Sequence, residues 1–140
     1  MKNDQVLLAQ RPGGPDASKW NGLGGTMKTK ERAHEAAKRL AKAAVGLTVD
    51  PGEPLGTVTY HHPMHGHWDV TVFRSQSITG TPKKTKLVRP QWFAVNDLPF
   101  KEMWPGDHLF MYRVLEEKPF TIDIWFDEAG NIAKQQVEFV

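Results

Sequence analysis

The chain has 140 residues, 39% of them hydrophobic and 24% charged, and a formal net charge of +2. This length predicts a single domain over residues 1–140. So small a charge is too weak to argue for nucleic-acid binding, and we expect no nucleic acid as a partner. The absence of cysteine excludes disulfides, thiolate metal sites and cysteine nucleophiles. No apolar leader segment or run of membrane-spanning length is present, so we expect a soluble, cytoplasmic protein without a membrane partner.

The first part of the chain predicts a strand, a glycine-rich turn and a helix. The apolar run 6–9 stops at a Pro/Gly break and is typical of a strand. Residues 20–25 form a glycine-rich turn in which the backbone can approach a ligand closely. The following segment, 30–45, is rich in Ala, Lys and Arg and predicts a helix with Thr29 as its N-cap and Gly46 as its C-terminal cap.

The remainder of the chain predicts strands around a second helix. The predicted elements are strands over 55–61, 68–73 and 91–95, a hairpin loop over 62–66, a helix capped by Asp107, and strands over 121–126 and 132–139 around a turn at 127–131. Phe110, Val114 and Leu115 have core-facing spacing in that helix. This order predicts an α+β fold with a mixed sheet between helices.

Several stretches of the chain match a known family. The matching residues are Gly25, Glu31, Arg39, Gly46 and Leu47, which fall in register with a hydrolase signature, and the stretches 20–25, 46–50, 80–82, 89–93 and 98–105. On these residues the chain resembles the Nudix hydrolases, most closely the animal-type hydrolases of 8-oxo-dGTP and other oxidised purine nucleoside triphosphates. The resemblance runs from Val6 to the C-terminus and implies a Nudix-type α/β/α sandwich.

The family usually carries a core strand before the segment that begins here at Met1. We therefore expect that first strand to be absent, supplied by a partner or lost through an alternative start. A missing strand leaves an exposed sheet edge, which predicts a protein partner or self-association.

The resemblance also implies a purine-nucleotide pocket. Its residues, carried over to this chain, are Asn21, Trp104, Asp107, Tyr60, His62 and Trp68. Trp104 offers a flat face for a base, while Asn21 and Asp107 offer hydrogen-bonding groups for a base edge. Gly106 replaces the first of two family acids, which puts the preference for oxidised purines in question. The alternative is that Trp104 and Tyr60 are ordinary core aromatics.

The metal-binding acids of the family are missing. Their positions are occupied by Leu40, Ala43, Ala44 and Leu87, which has Lys86 beside it. Because Mg²⁺ takes oxygen ligands, we expect the Mg²⁺ implied by the resemblance to bind weakly or not at all, and efficient hydrolysis to be lost.

Two carboxylates near the signature remain catalytic candidates. Glu31 and Glu35 are four residues apart and could hold one weakly bound ion. The alternative is that Glu31 stabilises the helix N-terminus and Glu35 pairs with Arg39.

Two clusters of basic side chains carry further hypotheses. Lysines around the signature could hold phosphates directly, or could simply solvate an alanine-rich helix; they are Lys28, Lys30, Lys38 and Lys42. The histidines could bind Zn²⁺ or Ni²⁺, with alternation along the strand placing His65 and His67 on one face; the set is His61, His62, His65 and His67, with Asp69 nearby. No metal site is assigned to them.

These observations favour a catalytically degenerate Nudix-like domain that retains a purine-nucleotide pocket. One alternative is an Mg²⁺-dependent nucleoside triphosphate pyrophosphohydrolase with residual or rewired activity that uses Glu31 and Glu35. The other is a structural or interaction subunit with no small ligand. Engineered removal of an active site would leave the same alanine-rich helix.

Overall fold

The computed structural model describes residues 4–10, 19–24, 26–86, 88–103 and 106–139. In chain order the elements are β1 (Gln5–Gln10), β2 (Trp20–Asn21), α1 (Ala33–Val45), β3 (Thr48–Asp50), β4 (Gly56–His62), β5 (Gly66–Val72), β6 (Ser77–Thr79), β7 (Arg89–Ala94), a 3₁₀ turn (Phe100–Glu102), α2 (Asp107–Leu115), β8 (Phe120–Phe126) and β9 (Ile132–Phe139). They divide into two compact units: unit 1 comprises residues 1–52 and 75–104, and unit 2 comprises residues 53–74 and 105–140. Within the described ranges, no helix is long and apolar enough to span a membrane.

Unit 1 contains helix α1 and two small antiparallel sheets. The larger sheet has the order β2-β1-β7, and the smaller one pairs β3 with β6. Alternation along β1 buries Val6 and Leu8, and Trp20 packs edge-on against Phe93 with ring centroids 5.0 Å apart. Helix α1 buries Ala36, Ala41 and Val45, which are small enough for the helix to pack closely.

Unit 2 is a mixed four-stranded sheet covered on one face by α2. The strand order is β5-β4-β8-β9, with β4 and β8 parallel and the outer pairs antiparallel. The apolar face forms a core around Val58, Val114, Phe120, Ile122 and Ile124. Because side chains alternate along a strand, the opposite face carries a different set, which is mainly polar but includes Trp125.

The α+β prediction and the mixed sheet are confirmed, and the predicted strands and helices appear within a few residues of their predicted bounds. The predicted caps are corrected at two places. Helix α1 begins at Ala33 after Arg32, so Thr29 is not its N-cap, whereas Gly46 ends it as predicted with φ 76°. Helix α2 follows Gly106 and includes Asp107 as its first residue, so Asp107 is not the cap either.

Candidate functional site

The face of α1 that would carry the family's acids bears only hydrocarbon side chains. Leu40, Ala43 and Ala44 have i, i+3, i+4 spacing and lie partly or fully exposed. None of them offers an oxygen ligand from its side chain. The residues present at these positions therefore do not fit Mg²⁺, which requires several oxygen ligands in near-octahedral geometry.

Glu31 is held by neighbouring donors rather than left open for a metal ion. Arg39 Nε donates to Glu31 Oε2 at 2.8 Å, and Arg39 Nη2 donates to Glu31 Oε1 at 2.8 Å. The backbone N–H of Lys28 donates to the same Oε1 at 2.9 Å, and the Glu31 side chain is only 12% exposed. The hydrogen bonds from Arg39 and then from Lys28 lower the pKa of Glu31 to about 2.

This geometry corrects the predicted pairing of Glu35 with Arg39, while a catalytic role for Glu31 and Glu35 stays a prediction. Glu31 precedes α1 and Glu35 lies in its first turn, so they do not share a helical face. Arg39 pairs with Glu31, not with Glu35, and its Nη2 also donates to the Thr26 carbonyl at 3.0 Å. A bidentate pair of this kind fixes the segment before the helix against the helix itself.

The Glu31–Arg39 pair should give the protein a defined acid sensitivity. Because the folded-state pKa of Glu31 lies below its usual value of 4.5, the stability it contributes is fully present above that pH. It is lost as the pH falls from 4.5 towards about 2. We expect the difference in unfolding free energy between wild type and Glu31→Gln to shrink across this window in denaturant titrations. Arg39→Met should remove the same dependence, and a difference that does not change with pH would contradict the pairing.

The lysines of α1 lie away from the acid-free face. Lys38 and Lys42 are each two residues from Leu40, and a helix turns by about 200° over two residues. Both are exposed, so their positions match the alternative in which they solvate the helix. Lys28 and Lys30 precede the helix and are also exposed.

The apolar face of unit 2 ends in a group of parallel aromatic rings. Tyr60 stacks on Trp68 with centroids 5.5 Å apart and on Phe126 with centroids 5.9 Å apart, at interplanar angles of 21° and 3°. His62 lies next to Phe126, with ring centroids 6.4 Å apart. Trp68 is 43% exposed, so a planar ligand can reach this group from solvent. We call Tyr60, Trp68, Phe126 and His62 the aromatic surface.

Three of these four residues were predicted for the purine pocket, and Phe126 was missed. It lies near the end of β8, two residues beyond Ile124, the register partner of Tyr60. Period-2 alternation with Ile122 and Ile124 identifies its face in the sequence, but only the β4–β8 pairing brings it to Tyr60.

Asp107 lies close enough to the aromatic surface to affect it. Burial, and secondly the negative charge of Asp107, raise the pKa of the Tyr60 hydroxyl above its usual range, so Tyr60 is a neutral hydroxyl. Asp107 itself is 6% exposed. The preceding Gly106 has φ 96°, which strains any L side chain, and an added Cβ would lie 2.8 Å from Ile124 Cδ1, so that Ile124 would have to shift. The backbone conformation therefore favours glycine at the position where the resemblance places the family's first acid.

Of the other predicted pocket residues, Asn21 lies in unit 1 and is described by the structure. Asn21 lies on β2 of unit 1, paired with Ala9, and is half-buried. Trp104 lies outside the described residues, as do Gly25 and Leu87. Their proposed roles remain predictions.

The histidines form two cross-hairpin pairs, which corrects the predicted alternation. His61 is the register partner of His67, with ring centroids 6.1 Å apart, whereas His65 lies in the turn beside His62, with centroids 4.4 Å apart. His61 Nε2 lies 2.9 Å from Asp123 Oδ1, and Asp69 accepts from Thr59. In the portion of the chain that the structure describes, no three His, Asp or Glu side chains could hold a metal ion.

A depression of about 360 Å³ lies at the hairpin end of unit 2. It is lined by His61, His62, Pro63, Gly66, His67, Trp125 and Phe126. Phe126 and His62 extend from the aromatic surface into this depression, which gives that surface a concave margin.

The fold and the signature region agree with membership of one family. The chain belongs to the NUDIX domain family, whose family model matches residues 1–114. It is 36% identical over 117 residues to the oxidized purine nucleoside triphosphate hydrolase of Danio rerio, a match that covers 83% of this chain and 75% of that protein. The protein of the same name in Mus musculus is 30% identical over 133 residues, covering 94% and 85%.

Solved structures show the same fold. The MutT protein of Bacillus halodurans superposes with a TM-score of 0.86 at 22% identity, covering 99% of this chain and 92% of that one. The MutT NUDIX hydrolase of Burkholderia pseudomallei gives a TM-score of 0.68 at 24% identity, covering 84% and 90%. The Nudix-type fold and the resemblance to the oxidised-purine hydrolases are therefore confirmed.

Proposed function

We propose that residues 1–140 act as one Nudix-like domain that binds a purine nucleotide, of the 8-oxo-dGTP class, and hydrolyses it inefficiently or not at all. The observation that carries this proposal is the aromatic surface beside a buried carboxylate. In the same chain the signature helix, α1, has Leu40, Ala43 and Ala44 in place of the family's metal-binding acids. Both oxidized purine nucleoside triphosphate hydrolases to which it is similar support a purine nucleotide as the ligand class.

The aromatic surface supplies the chemistry for holding a base. The parallel rings of Tyr60, Trp68 and Phe126 match the planar shape of a purine, and base–aromatic stacking contributes about 1–3 kcal/mol per base. Asp107 provides an acceptor for base N–H groups, and its burial strengthens such a bond. Asn21 and Trp104 are proposed to contribute further contacts with the base.

The signature helix supports binding without efficient turnover. Family chemistry uses a divalent metal such as Mg²⁺ to neutralise phosphate charge and activate water. Leu40, Ala43 and Ala44 provide no ligands, and both oxygens of Glu31 already accept hydrogen bonds. A pyrophosphohydrolase that uses Glu31 as a metal ligand would have to break the hydrogen bonds between Glu31 and Arg39. We therefore rank that function second.

Removal of the Trp68 ring is expected to weaken nucleotide binding. Loss of one stacked ring should reduce the affinity of Trp68→Ala for 8-oxo-dGTP by roughly 5- to 150-fold, measured by calorimetry. Val70→Ala is the matched control, because Val70 lies two residues away on the same face of β5 and is 37% exposed. Equal affinity of wild type and Trp68→Ala for 8-oxo-dGTP would contradict a purine pocket at the aromatic surface. If wild type does not bind 8-oxo-dGTP at all, a structural or interaction subunit is favoured.

A further inference from the structure

The loop after β6 is bound to the C-terminal end of the signature helix. Lys83 donates its backbone N–H to the Val45 carbonyl at 2.9 Å, and Thr85 Oγ1 donates to the Ala44 carbonyl at 2.6 Å. The Thr85 backbone N–H also donates to the Val88 carbonyl at 3.0 Å, which closes the loop on itself. The loop position is therefore fixed by the turn of α1 that contains Ala43 and Ala44.

Three lysines of this loop remain available for a ligand. Lys83, Lys84 and Lys86 are all exposed. Among the residues whose structure is described, none of their ammonium groups has an ion-pair partner. Little negative charge lies near this loop: Leu40, Ala43 and Ala44 are apolar, and Arg39 neutralises Glu31. Glu35 is in the first turn of α1, at the end of the helix opposite to the one that the loop contacts. The result is a local excess of positive charge beside the acid-free helical face.

The C-terminal end of α1 favours positively charged groups in this loop. The C-terminus of α1 carries partial negative charge and attracts cations, whether metal ions or ammonium groups. Hydrogen bonds from the loop already satisfy the Ala44 and Val45 carbonyls, so the lysine side chains are not needed as caps. Lysine binds phosphate as a point charge and needs no metal ion to do so.

We propose that Lys83, Lys84 and Lys86 form a metal-independent site for a polyphosphate chain in unit 1. Ammonium groups at this loop neutralise phosphate charge without providing an activated water, which leads to binding rather than cleavage. The inference rests on the proposed function only for the source of the anion, a nucleoside triphosphate.

Inorganic tripolyphosphate, which has no base, tests this site separately. In EDTA, we expect wild type to bind it with an affinity that falls as salt is added, and Lys84→Gln/Lys86→Gln to bind roughly 10- to 100-fold more weakly. Lys83→Gln should show a smaller loss. The matched control is Lys38→Gln/Lys42→Gln, which removes the same charge from an exposed part of α1 that points elsewhere.

The outcomes separate this site from the purine pocket. The proposal is supported if Trp68→Ala retains tripolyphosphate binding while the loop variant, Lys84→Gln/Lys86→Gln, loses it. It is overturned if wild type does not bind tripolyphosphate, if the loop variant binds it normally, or if the control variant loses as much. Nucleotide binding that survives in any of those cases leaves the purine pocket intact. Tighter binding of a single-stranded oligonucleotide than of tripolyphosphate would also overturn it.

Discussion

The triple variant Leu40→Glu/Ala43→Glu/Ala44→Glu should hydrolyse 8-oxo-dGTP to the monophosphate at least about 100-fold faster than wild type in the presence of Mg²⁺. The three positions share one face of α1, so glutamates there converge as metal ligands. Leu40 and Ala44 are partly exposed and Ala43 is exposed, so the carboxylates can be accommodated without burial. Chromatographic quantification of the monophosphate against Mg²⁺ concentration measures the effect.

The controls for this variant distinguish ligand chemistry from a change in helix stability. Leu40→Gln/Ala43→Gln/Ala44→Gln has similar size and helix propensity but supplies no carboxylates, and it should stay at the wild-type rate. Adding Leu87→Glu to the glutamate variant should increase the rate further. If wild type already forms the monophosphate as fast as the glutamate variant, the claim that the residues at positions 40, 43 and 44 abolish efficient hydrolysis is contradicted.

Restoring the family's first pocket acid with Gly106→Asp is expected to destabilise the protein by about 2–4 kcal/mol. The left-handed backbone at φ 96° strains any L side chain, and the new Cβ would lie 2.8 Å from Ile124 Cδ1 in the core. Denaturant titration measures the loss. An acid at position 106 therefore requires Ile124 to shift and the backbone to stay in a strained conformation.

Gly130→Asp separates the two causes of that loss. Gly130 has φ 85° but no atom within 4 Å of an added Cβ, so this variant reports backbone strain alone. We expect Gly106→Asp to cost about 1–3 kcal/mol more than Gly130→Asp, because only the former crowds Ile124. Equal losses would mean that Ile124 yields easily and that the contact does not exclude an acid.

Much of the fold could be predicted because its main elements have local patterns. Alternation, glycine breaks and helix-forming composition were enough for β1, α1, the β4–β5 hairpin and the β8–β9 hairpin. The short strands β2, β3 and β6 were not predicted, since two or three residues carry no periodicity. Thr48 becomes a strand residue through its pairing with Thr79, a distant residue in the sequence.

The candidate site was predictable in composition but not in geometry. Replacement of the family's acids by Leu40, Ala43 and Ala44 is visible in the sequence. The bidentate Glu31–Arg39 pair was missed because Glu31 precedes the helix, where i, i+4 reasoning does not apply. Phe126 joins Tyr60 only through the parallel pairing of β4 with β8.

The most direct test is a calorimetric titration of 8-oxo-dGTP into the wild-type protein with Mg²⁺ and again with EDTA, followed by assay of the cell contents for the monophosphate. We predict binding in both conditions with similar affinity and without appreciable product. Binding that requires Mg²⁺ and is accompanied by rapid formation of the monophosphate would contradict the account, because other carboxylates would then have to rebuild the metal site.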